Sequence, residues 1–131
     1  MFDLKFHAAN QRLHITVKQD LDFCEYRIAL VRFLKDNPDA LLRSALWDLT
    51  HVRVQAILEG DLQRMTRSIA GMGRSIDLAL VVPSRATTGL GHTYLGRLRD
   101  EMESIRIFRS RRAAEQWLDE RGELRSREAS S

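Results

Sequence analysis

The sequence predicts a single α/β domain built on a mostly parallel sheet, and three features of the 131-residue chain indicate it. Short apolar runs that suit strands alternate with apolar residues at helical spacing, which is typical of strand–helix–strand units. The run Leu78–Val82 is apolar throughout, as expected of a strand buried on both faces. With 44% hydrophobic residues, a chain of this length can bury one core and forms one domain.

The first elements predict an antiparallel hairpin. Apolar and polar residues alternate over residues 2–7 and again over residues 13–17, which is the period-two pattern of strands. The connection Ala8–Arg12 is short and contains Asn10, so it predicts a turn between them. The hairpin adds one antiparallel strand to the parallel sheet.

The remaining elements predict alternating helices and strands. Asp20 is the expected cap of a helix from Leu21 to Asn37, because Pro38 disfavours the helical conformation of the residue before it. Further strands are predicted at Ala45–Leu49, Leu78–Val82 and Ile105–Phe108, and further helices after Asp61, from Leu90 and after Ser110. The predicted order is ββαβαβαβα, with about five strands and about four helices. Residues 1–122 form the domain, the last helix ends at Gly122, and the polar residues 123–131 are expected to be a disordered tail.

The composition limits the cellular setting. Cys24 is the only cysteine, so the chain has no intramolecular disulfide, and we expect the thiol to be buried in the apolar face of the first helix. No apolar run approaches the roughly 20 residues that span a bilayer. The start of the sequence lacks the pattern of a signal peptide, so we expect a cytoplasmic protein.

The residues that usually mark metal and nucleotide sites do not form the necessary patterns. No two histidines have the short spacing of a metal motif, so we expect no metal and predict exposed strand or loop positions for His7, His14, His51 and His92. The glycines of the third helix do not match a dinucleotide fingerprint, and close helix packing or a loose helix start explains Gly89, Gly91 and Gly96 better. We therefore expect no cofactor.

Two groups of polar residues are candidates for a site at the carboxyl edge of the sheet, where open α/β folds place their ligands. Residues 64–112 carry ten arginines and only four acidic residues. Hydroxyl groups and arginines follow two strands there and suit an anion or a charged partner, namely Ser84, Arg85, Thr87, Thr88, Arg109, Ser110 and Arg111. Helix capping alone also explains several of these hydroxyl groups. The second group, from the third strand, is Asp48, Thr50 and His51.

The segment Ala45–Val52, the strand Leu78–Val82 and the ending Ile105–Phe108 followed by Ala113–Leu118 resemble STAS domains, and most of all their SpoIIAA-like branch. The resemblance covers about residues 2–122 and implies a bacterial regulatory module. In anti-sigma-factor antagonists of this family, a serine that follows an Asp-Leu-Ser strand end is phosphorylated by a partner kinase. Asp48, Leu49 and Thr50 match that strand end, but no Ser or Thr lies between His51 and Met65, so the phosphorylation switch is not expected here.

Three functions remain open at this point. The favoured one is a non-catalytic binding or regulatory module that acts through the carboxyl edge of the sheet on a protein partner. The second is a carrier of a small anionic or apolar molecule or a lipid, with a pocket near Met65 and Met72. The third is an enzyme using Asp48 and His51, which is disfavoured because no nucleophile with a base accompanies them. Nucleic-acid binding is disfavoured because acidic residues are interleaved with the basic ones, while a homodimer is left open.

Overall fold

The computed structural model describes residues 2–59, 61–70, 76–101 and 104–130. The five strands are β1 (Phe2–His7), β2 (Arg12–Gln19), β3 (Ser44–Val52), β4 (Asp77–Val81) and β5 (Ile105–Phe108). The helices are α1 (Phe23–Asp36), α2 (Val54–Glu59), α3 (Leu62–Ala70), α4 (Gly89–Glu101) and α5 (Arg111–Ser130), with a 3-10 turn at Ser84–Thr87.

The strands form one sheet in the order β1-β2-β3-β4-β5. β1 pairs with β2 in antiparallel register, and the other neighbours are parallel. This confirms the predicted fold class, including the opening hairpin. All five residues of β4 are buried between β3 and β5, which confirms the prediction that this apolar run is a central strand.

Helices cover the two faces of the sheet unequally. Crossovers between parallel strands have one hand. When consecutive strands also lie side by side in chain order, their connecting helices therefore fall on the same face of the sheet. The larger core cluster accordingly joins inward residues of all five strands to α1, α2, α3 and α4. A smaller cluster joins Leu46, Ala79 and Val81 of the other face to Ala114 and Leu118 of α5. The sheet therefore packs between one layer of four helices and a single helix.

Several predicted boundaries are wrong, each for an identifiable reason. The cap of α1 is Asp22, whose carboxylate accepts the backbone N–H groups of Cys24 and Glu25, so the helix begins later than predicted. The stretch after β3 contains the six-residue helix α2, which is too short to show a clear apolar period. β3 itself extends to Val52.

The predicted helix end at Gly122 and the disordered tail are also wrong. α5 continues through Gly122 to Ser130. Arg125, beyond the predicted end, donates two hydrogen bonds to Asp77 at 2.8 and 3.0 Å. Glycine weakens a helix only modestly, so the anchored arginine outweighs it. Met72, which the carrier hypothesis placed beside a pocket, lies outside the described residues.

Candidate functional site

Helix α1 is apolar on two opposite faces. Its inner face buries Tyr26, Leu30 and Phe33 against the sheet. On the outer face, the exposed fractions are 63% for Ile28 and 46% for Val31. Successive residues turn by about 100° around a helix, so these two lie roughly opposite the buried set. The described chain covers the inner face, and Ile28 and Val31 on the outer face stay open to solvent.

Exposed side chains on the outer face of α1 border a shallow, open depression of about 550 Å³, and all of them belong to α1 itself. We call it the α1 groove, and its lining is Cys24, Arg27, Ile28, Val31, Arg32, Lys35 and Asp36. The three basic side chains are exposed and make no ion pair with any described residue. The α1 groove thus combines an apolar floor with three cations and one carboxylate.

The sequence prediction that Cys24 is buried is wrong, because the free thiol is exposed in the α1 groove. The prediction assigned every apolar residue of the helix to one face. The spacing Ile28–Val31 is itself helical, but it belongs to the face that points away from the sheet. A helical-wheel plot of α1 separates the two faces. The sequence therefore contained the signal that could have predicted the groove.

At the carboxyl edge, the predicted anion residues are partly brought together. Val81 pairs with Phe108, and the Val82 N–H donates to the Phe108 carbonyl at 2.9 Å, so the segments after β4 and β5 leave the sheet side by side. Ser84 and Arg85 in the first segment and Arg109 in the second are all exposed. Neither arginine forms an ion pair with a described residue.

The hydroxyl groups at this edge are largely used in local turns. Thr87 Oγ1 donates to the Ser84 carbonyl at 2.6 Å, and Thr88 Oγ1 donates to the Arg85 carbonyl at 3.3 Å. Ser110 Oγ accepts the Ala113 N–H at 3.3 Å at the start of α5. A hydroxyl has one proton to donate, so the two threonines would have to give up these bonds to bind an anion.

Arg111 lies over the sheet face that α5 covers. Its Nη1 is 3.7 Å from Asp48, and its Nε is 3.6 Å from Glu115. The Asp48 carboxylate also accepts hydrogen bonds from the Thr50 hydroxyl at 2.6 Å and from the Thr50 backbone N–H at 3.1 Å. Three of the predicted residues, Asp48, Thr50 and Arg111, therefore form one cluster, but at the junction of α5 with the sheet.

The same cluster contains the buried His14. Its Nδ1 lies 2.8 Å from Arg111 Nη2, and because a guanidinium has no acceptor, the histidine must accept this bond and carry its proton on Nε2. The pKa of His14 is lowered to about 4, first by burial and then by positive charge on His7 and Arg111. The prediction that His14 is an exposed histidine is wrong. Its hydrogen bond with Arg111 links β2 to the start of α5.

The residues of the enzyme hypothesis are not joined by a hydrogen bond. Asp48 binds Thr50 and Arg111, whereas His51 is exposed beside Lys18 in the register of β2 and β3. Within the described residues, no group of three or more His, Cys, Asp or Glu side chains could hold a metal ion. None of the helices described is long and apolar enough to cross a membrane.

Two other predicted features have structural explanations. A Cβ atom at Gly91 would lie 2.2 Å from the Ala86 carbonyl oxygen, so this glycine permits close contact between α4 and the preceding turn. Gly89, with φ of 57°, starts α4 in the left-handed region that favours glycine. Met65 of the carrier hypothesis is fully buried in the larger core cluster.

Comparisons with known family models, with curated proteins and with solved structures found no match to this chain.

Proposed function

We propose that the chain is a non-catalytic, STAS-like binding module that recognises a protein partner through the α1 groove. The observation that carries the proposal is the uncovered apolar face of α1, where Ile28 and Val31 are 63% and 46% exposed. Single exposed apolar residues are ordinary on protein surfaces. Here, however, Cys24, Ile28 and Val31 adjoin one another on one face and line a groove.

The partner chemistry follows from the lining. Apolar side chains at helical spacing suit the apolar face of a second helix laid against α1. Arg27, Arg32 and Lys35 border them, and carboxylates on the flanks of the incoming helix would pair with these cations. The stretch from Cys24 to Lys35 is about 16 Å long, which matches about three turns of a partner helix. The occupant that fits is an amphipathic helix with acidic flanks.

The STAS-like part of the proposal rests on the resemblance in sequence and on the agreement between the observed order of elements and the expected one. The phosphorylation switch is not part of it, because the chain between His51 and Met65 has no hydroxyl side chain. The sequence alone favoured the carboxyl edge as the contact surface. The exposed apolar area favours α1, and the anion site around Arg85 and Arg109 stays a prediction.

Cys24 permits a direct test, because it is the only cysteine and lies in the α1 groove. The native protein is labelled there with a benzophenone maleimide, mixed with extract of the source cells and irradiated. The matched control carries Cys24→Ser and Ala113→Cys, which moves the same label to an exposed position on α5. We expect one protein to be cross-linked from Cys24 only, through a segment that is helical, amphipathic and acidic.

The double variant Ile28→Asp, Val31→Asp, labelled at Cys24, should lower this cross-link about tenfold or more, because buried apolar anchors dominate binding energy. Equal cross-linking from both label positions would contradict the proposal. So would a product that contains phospholipid, which would assign the groove to a membrane surface, or a second copy of this chain, which would assign it to a homodimer.

A further inference from the structure

A second concave region lies on the opposite side of the sheet. It is a cavity of about 700 Å³ between α5 and the amino edge of the parallel strands, and most of the residues that line it are polar or charged. The first residues of three neighbouring strands line it, namely Arg12 of β2, Ser44 of β3 and Asp77 of β4. Asp119 and Arg125 of α5 contribute to the other side. This amino-edge cavity shares no lining residue with the α1 groove.

Arg12 is the unusual residue of the cavity, because its side chain is only 5% exposed. Its Nε donates to Ser44 Oγ at 3.1 Å, and its Nη2 donates to Asp119 at 2.8 Å. A guanidinium has five N–H groups, so three remain without an acceptor among the described residues. No nitrogen of Arg12 is among the described buried polar atoms that lack a hydrogen-bond partner, so these N–H groups have access to solvent, and an anion in the cavity would accept hydrogen bonds from them.

The electrostatic balance of the cavity favours an anion. Arg125 binds Asp77 through two hydrogen bonds, and Arg12 binds Asp119, so each of these carboxylates already has a cation. Over the whole lining there are four arginines and three carboxylates, namely Arg12, Arg43, Arg125 and Arg127 against Asp77, Asp119 and Glu123. Guanidinium groups bind carboxylates and phosphates in a planar, two-point arrangement, and Arg12 keeps both N–H groups of Nη1 and one of Nη2 for it.

We propose that the amino-edge cavity binds a small organic anion through a carboxylate or phosphate group held by Arg12. A volume of about 700 Å³ lies within the range of small-molecule sites and exceeds what a single inorganic ion fills. The exposed Arg43 at the rim provides a second positive charge for the far end of the molecule. This site is independent of the partner-binding function proposed for α1.

The test is a titration of ¹⁵N-labelled protein with citrate and with inorganic phosphate, each against sodium chloride of equal ionic strength. We expect citrate to shift the amide signals of Asn10, Gln11 and Ser44 and the Nε signal of Arg12. Arg12→Met should weaken citrate binding about tenfold or more, which is the usual effect of losing hydrogen bonds to a charged group. Arg53→Met, at an exposed arginine outside the cavity, is the charge-matched control and should bind as the wild type does.

A second variant keeps the proposal testable if Arg12→Met fails to fold. Ala9→Glu places a negative charge at an exposed position of the cavity lining and leaves Arg12 in place, and it should also abolish the citrate shifts. Shifts that persist in either folded variant would overturn the proposal. Its rejection would also follow if neither anion perturbs the cavity residues, or if the shifts occur only around Arg85 and Arg109.

Discussion

α1 and α5 cover opposite faces of the same sheet, and they are held there by different forces. The inner face of α1 is apolar, with Tyr26 fully buried between Phe2 and Trp47, and its outer face is apolar as well. Among the described residues of α5, Ala114 and Leu118 are the two that are buried, and ion pairs surround them. The comparison shows that apolar residues on a helix indicate a contact surface. The surface they contact need not be the helix's own sheet.

The polar attachment of α5 is continuous along the helix. Arg111 binds His14 and Asp48 near its start, Asp119 binds Arg12 in its middle, and Arg125 binds Asp77 near its end. The guanidinium of Arg12 and the carboxylate of Asp77 are nearly buried, so losing the partner of either leaves a poorly solvated charge uncompensated. α5 should therefore depend on pH and on single charges, whereas α1 should not.

The largest expected effect comes from Asp77, which is 2% exposed and faces both Arg121 and Arg125. Asp77→Asn should lower the free energy of unfolding by about 2–4 kcal/mol, because hydrogen bonds from Arg125 and the ion pair with Arg121 are weakened at a nearly buried position. Urea denaturation measures this value. The matched control is Asp20→Asn at the exposed pair with Arg53, which should change stability by less than about 1 kcal/mol. Equal effects of the two substitutions would show that the ion pairs do not hold α5.

A smaller effect is expected from the titration of His14. Its pKa is about 4 in the folded protein and 6.5 when unfolded, so the unfolded chain binds the extra proton first as the pH falls. The favourable contribution of neutral His14 is complete above pH 6.5 and is lost between pH 6.5 and about 4, at a cost of up to about 3 kcal/mol.

His14→Gln keeps an acceptor for Arg111 and removes the titration. The stability difference between wild type and variant should therefore shift in favour of the variant as the pH falls from 7 to 4, as measured by urea denaturation at each pH. His51→Gln, at an exposed histidine, serves as the control and should follow the wild type throughout. A wild-type profile parallel to that of His14→Gln would exclude the buried neutral histidine.

The basic carboxyl edge should contribute less still. Replacing Arg85 and Arg109 by Ala should leave stability within about 1 kcal/mol of the wild type, because both side chains are exposed. If the predicted anion site exists, millimolar phosphate should raise the melting temperature of the wild type and leave the double variant unaffected. An equal rise in the melting temperature of both proteins would contradict an anion site at the carboxyl edge.

The outer face of α1 should show the smallest effect on stability. Ile28→Ser should change the free energy of unfolding by about 0.5 kcal/mol or less, since this side chain is 63% exposed. Leu30→Ala, two residues away on the inner face, should cost about 2–5 kcal/mol by opening a cavity. Chemical denaturation of both variants measures the contrast, and a large cost at Ile28 would mean that its side chain packs within the domain.

The sheet could be predicted because the pattern of apolar residues in its strands indicates how many faces of each strand are buried. β4 is apolar at every position except its first, which is the pattern of a strand buried on both faces. β1 alternates strictly between apolar and polar residues, which is the pattern of a strand buried on one face. The ends of helices could not be predicted equally well. Gly122 resembles a stop signal, and only the distant Asp77, which is paired with Arg125, explains why α5 continues past it.

The candidate sites were harder to predict for the same reason. The sequence placed Arg12 in a turn, because nothing local shows that Ser44 and Asp119, 32 and 107 residues away, enclose its guanidinium. Arg111 was predicted at the carboxyl edge, but as the first residue of α5 it contacts His14 on the sheet face that α5 covers. Asp48, Thr50 and Arg111 were all predicted as candidate site residues, but the sequence did not show that Arg111 pairs with Asp48.

The most direct test of the central claim is the affinity of the cross-linked partner segment, as a synthetic peptide, for two charge-matched variants of this chain. Ile28→Asp changes the outer face of α1, and Ala113→Asp places the same charge at an exposed position on α5. By isothermal titration calorimetry, we expect Ile28→Asp to raise the Kd about tenfold or more, because it puts a charge into an apolar contact. Ala113→Asp should leave the Kd unchanged. An equal Kd for the two variants would contradict the assignment of partner binding to the α1 groove.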